Sequence, residues 1–479
     1  MNFFKKKRVN MTKLFNTYKT LLLTLLVALF LFLLHFLPTF KIGDTKLREI
    51  DILSDLARKK KVLEEVIPSP KKPSTVVAYD KEGNVIDFKE EWPKGTERIV
   101  DYSAGKPGGL DHFYGQLNLL AQKQAVGRPV RIAYFGDSFI EGDILLADLR
   151  EDLQKYYGGY GVGWIDAGND LDQYKHTVEN KFTGLTEHMV KKPASYDVNQ
   201  AGIAERYYTM NGQATMSYAP FSLSHDYSRT EKWASTWLYL RSKGGANVTF
   251  EIDGGKTSTQ RVNPSPAVQA VKMDGVTSHA TIKVNGSNTV LFGTSQEGRE
   301  GIVVDNFSMR GSSGTTLAKL PEQMLKEFAL VRPYDLIVFQ FGVNAVDAET
   351  TPERLKKYMA DMKLVVDLFH KCFPETSILI VSSPDRGSKT SPDGTMKGVE
   401  MLVGYQEQLA ADCHVGFYNL FRAMGGPGTM MRIVDEQSMG TKDYVHINYK
   451  GGKYVSQRIF KSIVAGQKNY TRREKLVEE

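Results

Sequence analysis

Several common signatures of function are missing from this chain of 479 residues. It has only two cysteines, and its nine histidines include no His-Glu-x-x-His segment, so the usual ligand sets of zinc enzymes are absent. The glycine-rich segment 158–164 follows a helical pattern and contains no Lys-Ser or Lys-Thr pair, so it is not a phosphate-binding P-loop. We therefore expect a protein that works without a metal or another cofactor.

Acidic residues are absent from the first 20 positions, where six lysines and arginines occur. The formal net charge of +7 belongs almost entirely to this short segment, so the remainder of the chain is close to neutral. A near-neutral remainder offers no basic surface for a polyanion. We expect no nucleic-acid partner.

One long hydrophobic run follows this basic segment. Residues 21–37 are apolar except for Thr24 and His35, and a helix of roughly 17–25 such residues crosses a bilayer. No small-residue cleavage site follows, and the cations lie in front, so the sequence predicts an uncleaved single-pass anchor with a cytoplasmic tail at 1–20. Everything after Pro38 is then exported. Segment 38–104, with its Pro/Lys/Ser stretch, is predicted to be a stalk.

Strand and helix patterns alternate over residues 105–169 and again over 301–465. This alternation is typical of an α/β fold with a doubly wound parallel sheet, whose ligands bind at the carboxyl ends of the strands. Ser138, Gly314 and Asn344 each follow a predicted strand, so we expect them at one edge of the sheet. The last residues, 466–479, are predicted to be a tail.

Residues 170–300 interrupt this pattern with short alternating runs separated by turn residues, which predicts an inserted antiparallel β-sandwich. The insertion is either a structural cover or a carbohydrate-binding module, because tryptophan and tyrosine suit the apolar faces of sugars. The aromatic candidates for such contacts are Tyr207, Tyr208, Tyr218, Tyr227, Trp233 and Trp237.

Three residues have the chemistry of a nucleophilic site. Ser138 lies in a predicted turn between a strand and a helix, where its hydroxyl can be exposed beside free N–H groups. Asp443 and His446 are three positions apart, close enough for the carboxylate to hold one imidazole tautomer. Asp-x-x-His alone is a weak signal, but with Ser138 it completes a nucleophile, a base and an orienting acid.

Four segments, GDS at 136–138, GSSG at 311–314, GVN at 342–344 and DYVH at 443–446, occur in this order. They resemble the blocks of SGNH/GDSL-family hydrolases over about residues 105–465. Ala345 departs from the family, which usually has aspartate there. The anchor, the insertion and the turn GYGVGW are similar to bacterial peptidoglycan O-acetylesterases, and related enzymes acetylate exported polysaccharides.

The resemblance implies a serine esterase that removes O-acetyl groups from a cell-envelope glycan, with peptidoglycan as the expected substrate. It assigns Ser138 as nucleophile, His446 as base and Asp443 as the orienting acid. The backbone N–H groups of Ser138 and Gly314 and the amide of Asn344 would form the oxyanion hole. The residues expected at the substrate cleft are Asp137, Gly311 and Met430.

Two alternatives remain open. The chain is otherwise an O-acetyltransferase for an exported polysaccharide, with a membrane acyltransferase as partner, or a glycan-binding protein without catalysis. In each case we expect a protein of the bacterial inner membrane with its main part in the periplasm. Cys372 and Cys413 each precede a strand, and they either form a disulfide or remain free thiols.

The topology is testable with spheroplasts. Protease added outside right-side-out spheroplasts should digest the part of the chain after Pro38, because the positive-inside rule places it beyond the cytoplasmic membrane. Immunoblotting with an antibody against the C-terminal residues measures the loss. Complete protection, with digestion only after lysis, would contradict this topology.

Overall fold

The computed structural model describes residues 18–27, 29–30, 41–42, 45–46, 67–71, 76–79, 84–106, 108–222 and 226–478. The chain divides into two units, residues 1–67 and 68–479.

In the first unit, residues 18–27 and 29–30 are helical. Strands β1 (Lys41–Ile42) and β2 (Thr45–Lys46) form an antiparallel pair. Part of the predicted anchor, and most of the predicted stalk before residue 67, lie outside the described residues. Among the helices that are described, none combines the length and the apolar character needed to cross a membrane.

The second unit contains the remaining strands and the longer helices. The strands are β3 (Val76–Tyr79), β4 (Val85–Phe88), β5 (Ile99–Asp101), β6 (Val130–Gly136), β7 (Gly163–Asp166), β8 (Glu179–Met189), β9 (Arg206–Ala219), β10 (Trp233–Ser242), β11 (Ala246–Ile252), β12 (Lys256–Val262), β13 (Gln269–Thr277), β14 (Ala280–Gly286), β15 (Thr289–Glu297), β16 (Ile302–Ser308), β17 (Leu336–Gln340), β18 (Ser377–Val381) and β19 (Gly416–Tyr418). The helices are α1 (Asp111–Ala121), α2 (Leu146–Tyr157), α3 (Glu322–Val331), α4 (Pro352–Cys372), α5 (Val399–Cys413), α6 (Leu420–Met424), α7 (Thr429–Asp435) and α8 (Tyr449–Glu478).

A six-stranded sheet forms the centre of the second unit, in the order β16-β6-β17-β18-β19-β5. All neighbours are parallel except β5, which runs antiparallel to β19. Every residue of β6, β17 and β18 is buried, because helices cover both faces of the sheet. Along β6, Ala133 and Phe135 pack with residues of α3, α4 and α5, whereas Ile132 and Tyr134 pack with residues of α1, α2 and α8. The predicted doubly wound parallel sheet is confirmed.

Two boundaries of this domain differ from the sequence-based prediction. Strand β5 comes from the predicted stalk and forms the edge of the sheet. Helix α8 continues through the predicted tail, where the Asn469 side chain bonds both backbone groups of Glu91 at 2.8 and 3.0 Å. The end of the stalk and the tail therefore belong to the host domain. Neither has a composition that distinguishes it from a linker.

The insertion consists of nine antiparallel strands, β7 to β15, joined in one network of pairings. It begins at β7, earlier than predicted, because β7 pairs with β15. Its core contains fully buried side chains from several of its strands, such as Leu238, Phe250 and Ile282. These antiparallel strands fit the predicted inserted β domain.

Most of the aromatic side chains proposed for sugar binding are core residues of the protein. Tyr207, Tyr208, Tyr218, Tyr227 and Trp233 are buried. The sixth candidate, Trp237, is only partly buried, with the ammonium group of Lys272 5.2 Å from its ring centre. The hypothesis that the five buried rings form a sugar-binding surface is wrong, since aromatic residues in a β domain also fill its core.

A buried network of charges connects the insertion to the host sheet. Arg332 is fully buried and donates to both carboxylate oxygens of Asp305 on β16, at 2.6 and 2.7 Å. It also donates to Glu297 on β15 at 3.1 Å and to the Tyr239 hydroxyl on β10 at 2.7 Å. Arg131 on β6 donates to Glu297 as well. Ionised groups buried this deeply are stable only when paired, so the network fixes the insertion against β6 and β16.

Cys372 and Cys413 are free, buried thiols at the ends of α4 and α5. Burial raises the pKa of Cys372 to about 11 and that of Cys413 to about 12. Of the two alternatives left by the sequence, the structure has the free thiols.

Glu297 provides a test of the buried network. Burial raises the pKa of its carboxyl group, but the charges of Arg332 and Arg131 outweigh this effect and hold the pKa at about 2. Glu297→Gln leaves two buried guanidinium groups with less negative charge, so we expect a loss of about 3–5 kcal/mol in the free energy of unfolding at pH 7. Urea denaturation at pH 7 and at pH 3 measures it.

The sign of the pH dependence follows from the lowered pKa. The stabilisation by Glu297 is complete above its ordinary pKa of about 4.3 and is lost as the pH falls through about 2. The difference in the free energy of unfolding between the wild type and Glu297→Gln should therefore be smaller at pH 3 than at pH 7. Equal stability of the two proteins at pH 7 would contradict the role given to the network.

Candidate active site

Ser138 lies in a tight turn at the carboxyl end of β6. The Asp137 carboxylate accepts a hydrogen bond from the Phe139 N–H at 2.9 Å, and the Asp137 carbonyl accepts one from the Ile140 N–H at 3.3 Å. Asp137 and Phe139 are buried, whereas Ser138 is partly exposed. The turn therefore directs the serine hydroxyl outward.

A continuous series of hydrogen bonds joins Ser138, His446 and Asp443. The Ser138 Oγ lies 3.0 Å from the His446 Nε2, and the His446 Nδ1 lies 2.7 Å from the Asp443 Oδ2. The side chains of His446 and Asp443 are 46% and 48% exposed, so the site is open to solvent. In the tautomer that donates its Nδ1 proton to Asp443, Nε2 has a free lone pair that can accept the serine proton.

Asp443 is held in its ionised form. Partial burial raises its pKa, but hydrogen bonds from the Thr441 hydroxyl and the His446 ring outweigh that effect, and the pKa lies well below its usual range. The Thr441 Oγ1 is 2.6 Å from the Asp443 Oδ1, which also accepts the backbone N–H groups of Val445 and His446 at 2.9 and 3.1 Å. A carboxylate fixed in this way keeps one orientation for the imidazole.

The turn 311–314 lies at the same edge of the sheet as Ser138. Gly136 is in register with Ser308 of β16 and with Gln340 of β17, so the segments after all three strands leave the sheet together. Arg310 forms an ion pair with Glu141, three residues after Ser138, with Nε 2.7 Å from the carboxylate. The structure therefore brings the predicted turn to the side of Ser138.

Asn344 and Gly314 meet in this turn. The Asn344 Nδ2 donates to the Ser312 carbonyl at 2.9 Å, which leaves the second N–H of that amide for another acceptor. The Gly314 N–H donates to the Ser312 Oγ at 3.0 Å, so it reaches an oxyanion only when that bond is shared or broken. Gly314 has φ +85°, and a β-carbon there would lie 2.6 Å from the Phe341 ring. Glycine is therefore required at this position.

The three residues predicted for the substrate cleft have different positions. Gly311 is exposed, and its carbonyl accepts a hydrogen bond from the Lys191 ammonium group at 2.7 Å. Asp137 is 2% exposed and Met430 is fully buried in the host core. The prediction that Met430 lines the cleft is wrong, because helix α7 turns its side chain inward. Asp137 supports the serine turn and has almost no surface for substrate.

Sequence reasoning missed three residues that contact the site, namely Lys191, Tyr358 and Thr441. Only Thr441 has a local signal, since a hydroxyl two residues before Asp443 can bond its carboxylate. Lys191 and Tyr358 reach the turn from the insertion and from α4, which no local pattern indicates. In the part of the chain that the structure describes, no cluster of three or more histidine, cysteine or acidic side chains is arranged to hold a metal ion.

No protein-family model and no curated protein sequence matches this chain. Among solved structures, a peptidoglycan O-acetylesterase matches 77% of this chain and 99% of its own, with 18% identity and a TM-score of 0.62. The chain shares the fold of this esterase. A lipase/acylhydrolase from Enterococcus faecalis matches 35% of this chain and 77% of its own, with 18% identity and a TM-score of 0.25. A Corynascus family 2 carbohydrate esterase with a carbohydrate-binding domain matches 59% of this chain and 98% of its own, with 11% identity and a TM-score of 0.26. The last two likenesses are too weak to carry an argument.

Asp137 gives a pH-dependent prediction. Burial raises the pKa of its carboxyl group to about 7, against the opposing effects of the Phe139 N–H and His446. The folded protein therefore favours the neutral acid and loses stability as the pH rises from about 4 through 7. Asp137→Asn is neutral at every pH and keeps the acceptor for Phe139. Its melting temperature should exceed that of the wild type at pH 8, and the difference should vanish near pH 4.

Thermal unfolding followed by circular dichroism between pH 4 and pH 8 measures this difference. A melting temperature of Asp137→Asn below that of the wild type at pH 8 would show that the ionised carboxylate stabilises the turn.

Proposed function

We propose that this chain is a serine esterase that removes O-acetyl groups from a glycan of the bacterial cell envelope, with peptidoglycan as substrate. The observation that carries the proposal is the series of hydrogen bonds from Ser138 through His446 to Asp443. The shared fold with a peptidoglycan O-acetylesterase supports the choice of ester and glycan.

The reaction begins with attack of the Ser138 Oγ on the acetyl carbonyl carbon. His446 takes the serine proton at Nε2, and Asp443 stabilises the imidazolium that forms. The tetrahedral intermediate collapses as His446 returns the proton to the glycan oxygen, which leaves as a hydroxyl. The acetyl group is then an ester on Ser138.

Water completes the cycle by the same steps. His446 removes a proton from water, which attacks the acetyl-enzyme, and acetate leaves as Ser138 regains its proton. A sugar hydroxyl in the place of this water would make the enzyme an O-acetyltransferase. The proposal assigns water as the acceptor.

The negative charge of both tetrahedral intermediates needs donors at the turn. The Ser138 N–H, the second N–H of the Asn344 amide and the Gly314 N–H are the groups assigned here. The Gly314 N–H changes its acceptor from the Ser312 hydroxyl to the oxyanion. The oxyanion can replace the Ser312 hydroxyl as acceptor, because a hydrogen bond to an ionised acceptor is stronger than one to a neutral hydroxyl.

The proposal places the enzyme at the bacterial inner membrane. The basic residues at 1–20 and the apolar run at 21–37 support a single-pass anchor with a periplasmic catalytic domain. Envelope glycans lie on that side of the membrane, so this location brings the enzyme to its substrate.

Substitutions of the site residues test the mechanism in the full-length, detergent-solubilised protein. Ser138→Ala and His446→Ala should each reduce acetate release from O-acetylated peptidoglycan by roughly 10⁴-fold or more, since members of one catalytic unit fail together. Asn344→Ala removes one oxyanion donor and should lower kcat by roughly 10²–10³ with little change in KM.

Ser278→Ala, in an exposed turn of the insertion, is the control and should behave as the wild type. A serine-directed phosphonate should form its adduct on Ser138, as determined by peptide mass spectrometry. An adduct elsewhere, or normal turnover by Ser138→Ala, would refute the site. Acetylated sugar formed in place of free acetate would identify a transferase.

A further inference from the structure

Three consecutive carbonyl groups of the turn accept hydrogen bonds from three different parts of the protein. The Gly311 carbonyl accepts from the Lys191 Nζ at 2.7 Å, and the Ser313 carbonyl accepts from the Tyr358 hydroxyl at 2.7 Å. The Ser312 carbonyl between them accepts from Asn344. Lys191 belongs to the insertion and Tyr358 to helix α4. Every peptide plane from 311 to 314 is therefore held from outside the turn.

The planarity of the peptide group gives these contacts a consequence for catalysis. In a trans peptide the carbonyl of one residue and the N–H of the next lie in one plane and point in opposite directions. The donor that fixes the Ser313 carbonyl therefore also fixes the Gly314 N–H, which is the backbone donor assigned to the oxyanion. A hydrogen bond to the carbonyl also polarises the same peptide and strengthens its N–H as a donor.

Tyr358 is suited to this task. Its side chain lies on the buried face of α4 and is 9% exposed, so its hydroxyl has little access to water. Burial, with a smaller effect of Asp137, raises its pKa well above the ordinary value of about 10. The hydroxyl therefore remains protonated and keeps donating to Ser313 over the whole working range of pH.

Lys191 connects the insertion to the same turn. Arg206, also from the insertion, is buried and donates to the Ser308 carbonyl at 3.1 Å, just before the turn. The segment between these two residues is closed by a hydrogen bond from the Val190 N–H to the Glu205 carbonyl at 3.1 Å. The insertion thus contacts the turn both at its base and at Gly311.

We propose that Tyr358 and Lys191 are positioning residues of the esterase, and that the insertion acts on the chemical step by holding the oxyanion turn. Tyr358 orients the Gly314 N–H, and Lys191 holds the first peptide of the turn and adds positive charge beside it. This inference rests on the proposed function, because it assumes that an oxyanion forms at the turn.

Tyr358→Phe tests the first residue, with Tyr454→Phe as matched control. The Tyr454 hydroxyl on α8 also donates to a backbone carbonyl, that of Met424, at 2.8 Å, so both variants lose the same kind of bond. With a small acetyl ester, Tyr358→Phe should lower kcat by about tenfold and leave KM within about twofold, because only the transition state carries the oxyanion. Tyr454→Phe should keep kcat within about twofold.

Lys191→Met and Lys191→Arg test the second residue, with Lys192→Met as control. Lys192 is the next residue and is also exposed, but its ammonium group pairs with Glu187 and not with the turn. Lys191→Met should lower kcat by about three- to fivefold, a smaller effect than for Tyr358 because water screens an exposed ammonium group. Lys191→Arg should restore most of kcat, and Lys192→Met should be normal.

The rate of phosphonate labelling at Ser138 separates this inference from the proposed function. The phosphoryl oxygen of the reagent occupies the oxyanion position, so labelling depends on the turn even if the enzyme hydrolyses no acetyl ester. A labelled wild type without esterase activity would refute the proposed substrate, and slower labelling of Tyr358→Phe would still support its positioning role.

Melting temperatures of all variants check that each remains folded in the assay. If Tyr358→Phe is unfolded, the exposed Lys191 variants decide whether the turn is held from outside. The inference is overturned for Tyr358 if its kcat and labelling rate equal those of Tyr454→Phe. It is overturned for the insertion if Lys191→Met has the same kcat as Lys192→Met.

Discussion

The geometry of the site depends on the ion pairs that the buried guanidinium group of Arg332 forms. A buried cation is tolerated only next to anions, and here those anions come from two domains, Asp305 of β16 in the host and Glu297 of β15 in the insertion. Strand β16 continues directly into the turn 311–314. Any displacement of the insertion would separate charges in a medium of low dielectric constant, so the network keeps Lys191 and the turn in register.

The parallel sheet supplies the second constraint. Because Gly136, Ser308 and Gln340 are in register, three segments distant in sequence leave the sheet side by side. Among the residues predicted to take part in catalysis, His446 and Asp443 are the two that do not follow a strand of this sheet. They lie in the loop before α8, and a hydrogen bond to Ser138 joins that loop to the sheet edge. The end of β6 and the start of α8 therefore position the hydrogen-bonded series of Ser138, His446 and Asp443.

The sequence predicted the parts of the protein that depend on local chemistry. The serine turn, the Asp-x-x-His segment and the alternation of strands with helices each arise within a few residues. The parallel sheet and the contact of Ser138 with His446 could therefore be predicted. Contacts between distant segments that no motif marks could not be predicted. The edge strand β5 and the end of α8 resemble a linker and a tail until they meet the host domain. Met430 was misplaced because a sequence does not reveal which side of a short helix faces the core, and the aromatic residues of the insertion were misread for the same reason.

The exposure of His446 and Asp443 affects how the proposed chemistry has to work. An open site admits a polymer, but it also leaves Asp443 and His446 half in water, where a charge stabilises its partner only weakly. In the proposed mechanism, the fixed orientation of these groups must then supply the rate enhancement that a site of low dielectric constant would otherwise give. Asp443 is held by Thr441 and by two backbone N–H groups, and the turn is held at three successive carbonyls. The buried side of the site, around Tyr358 and Asp137, is where the protein excludes water. In this arrangement the Gly314 N–H is held from the buried side through Tyr358, while the proposed acid and base remain accessible to a bulky glycan.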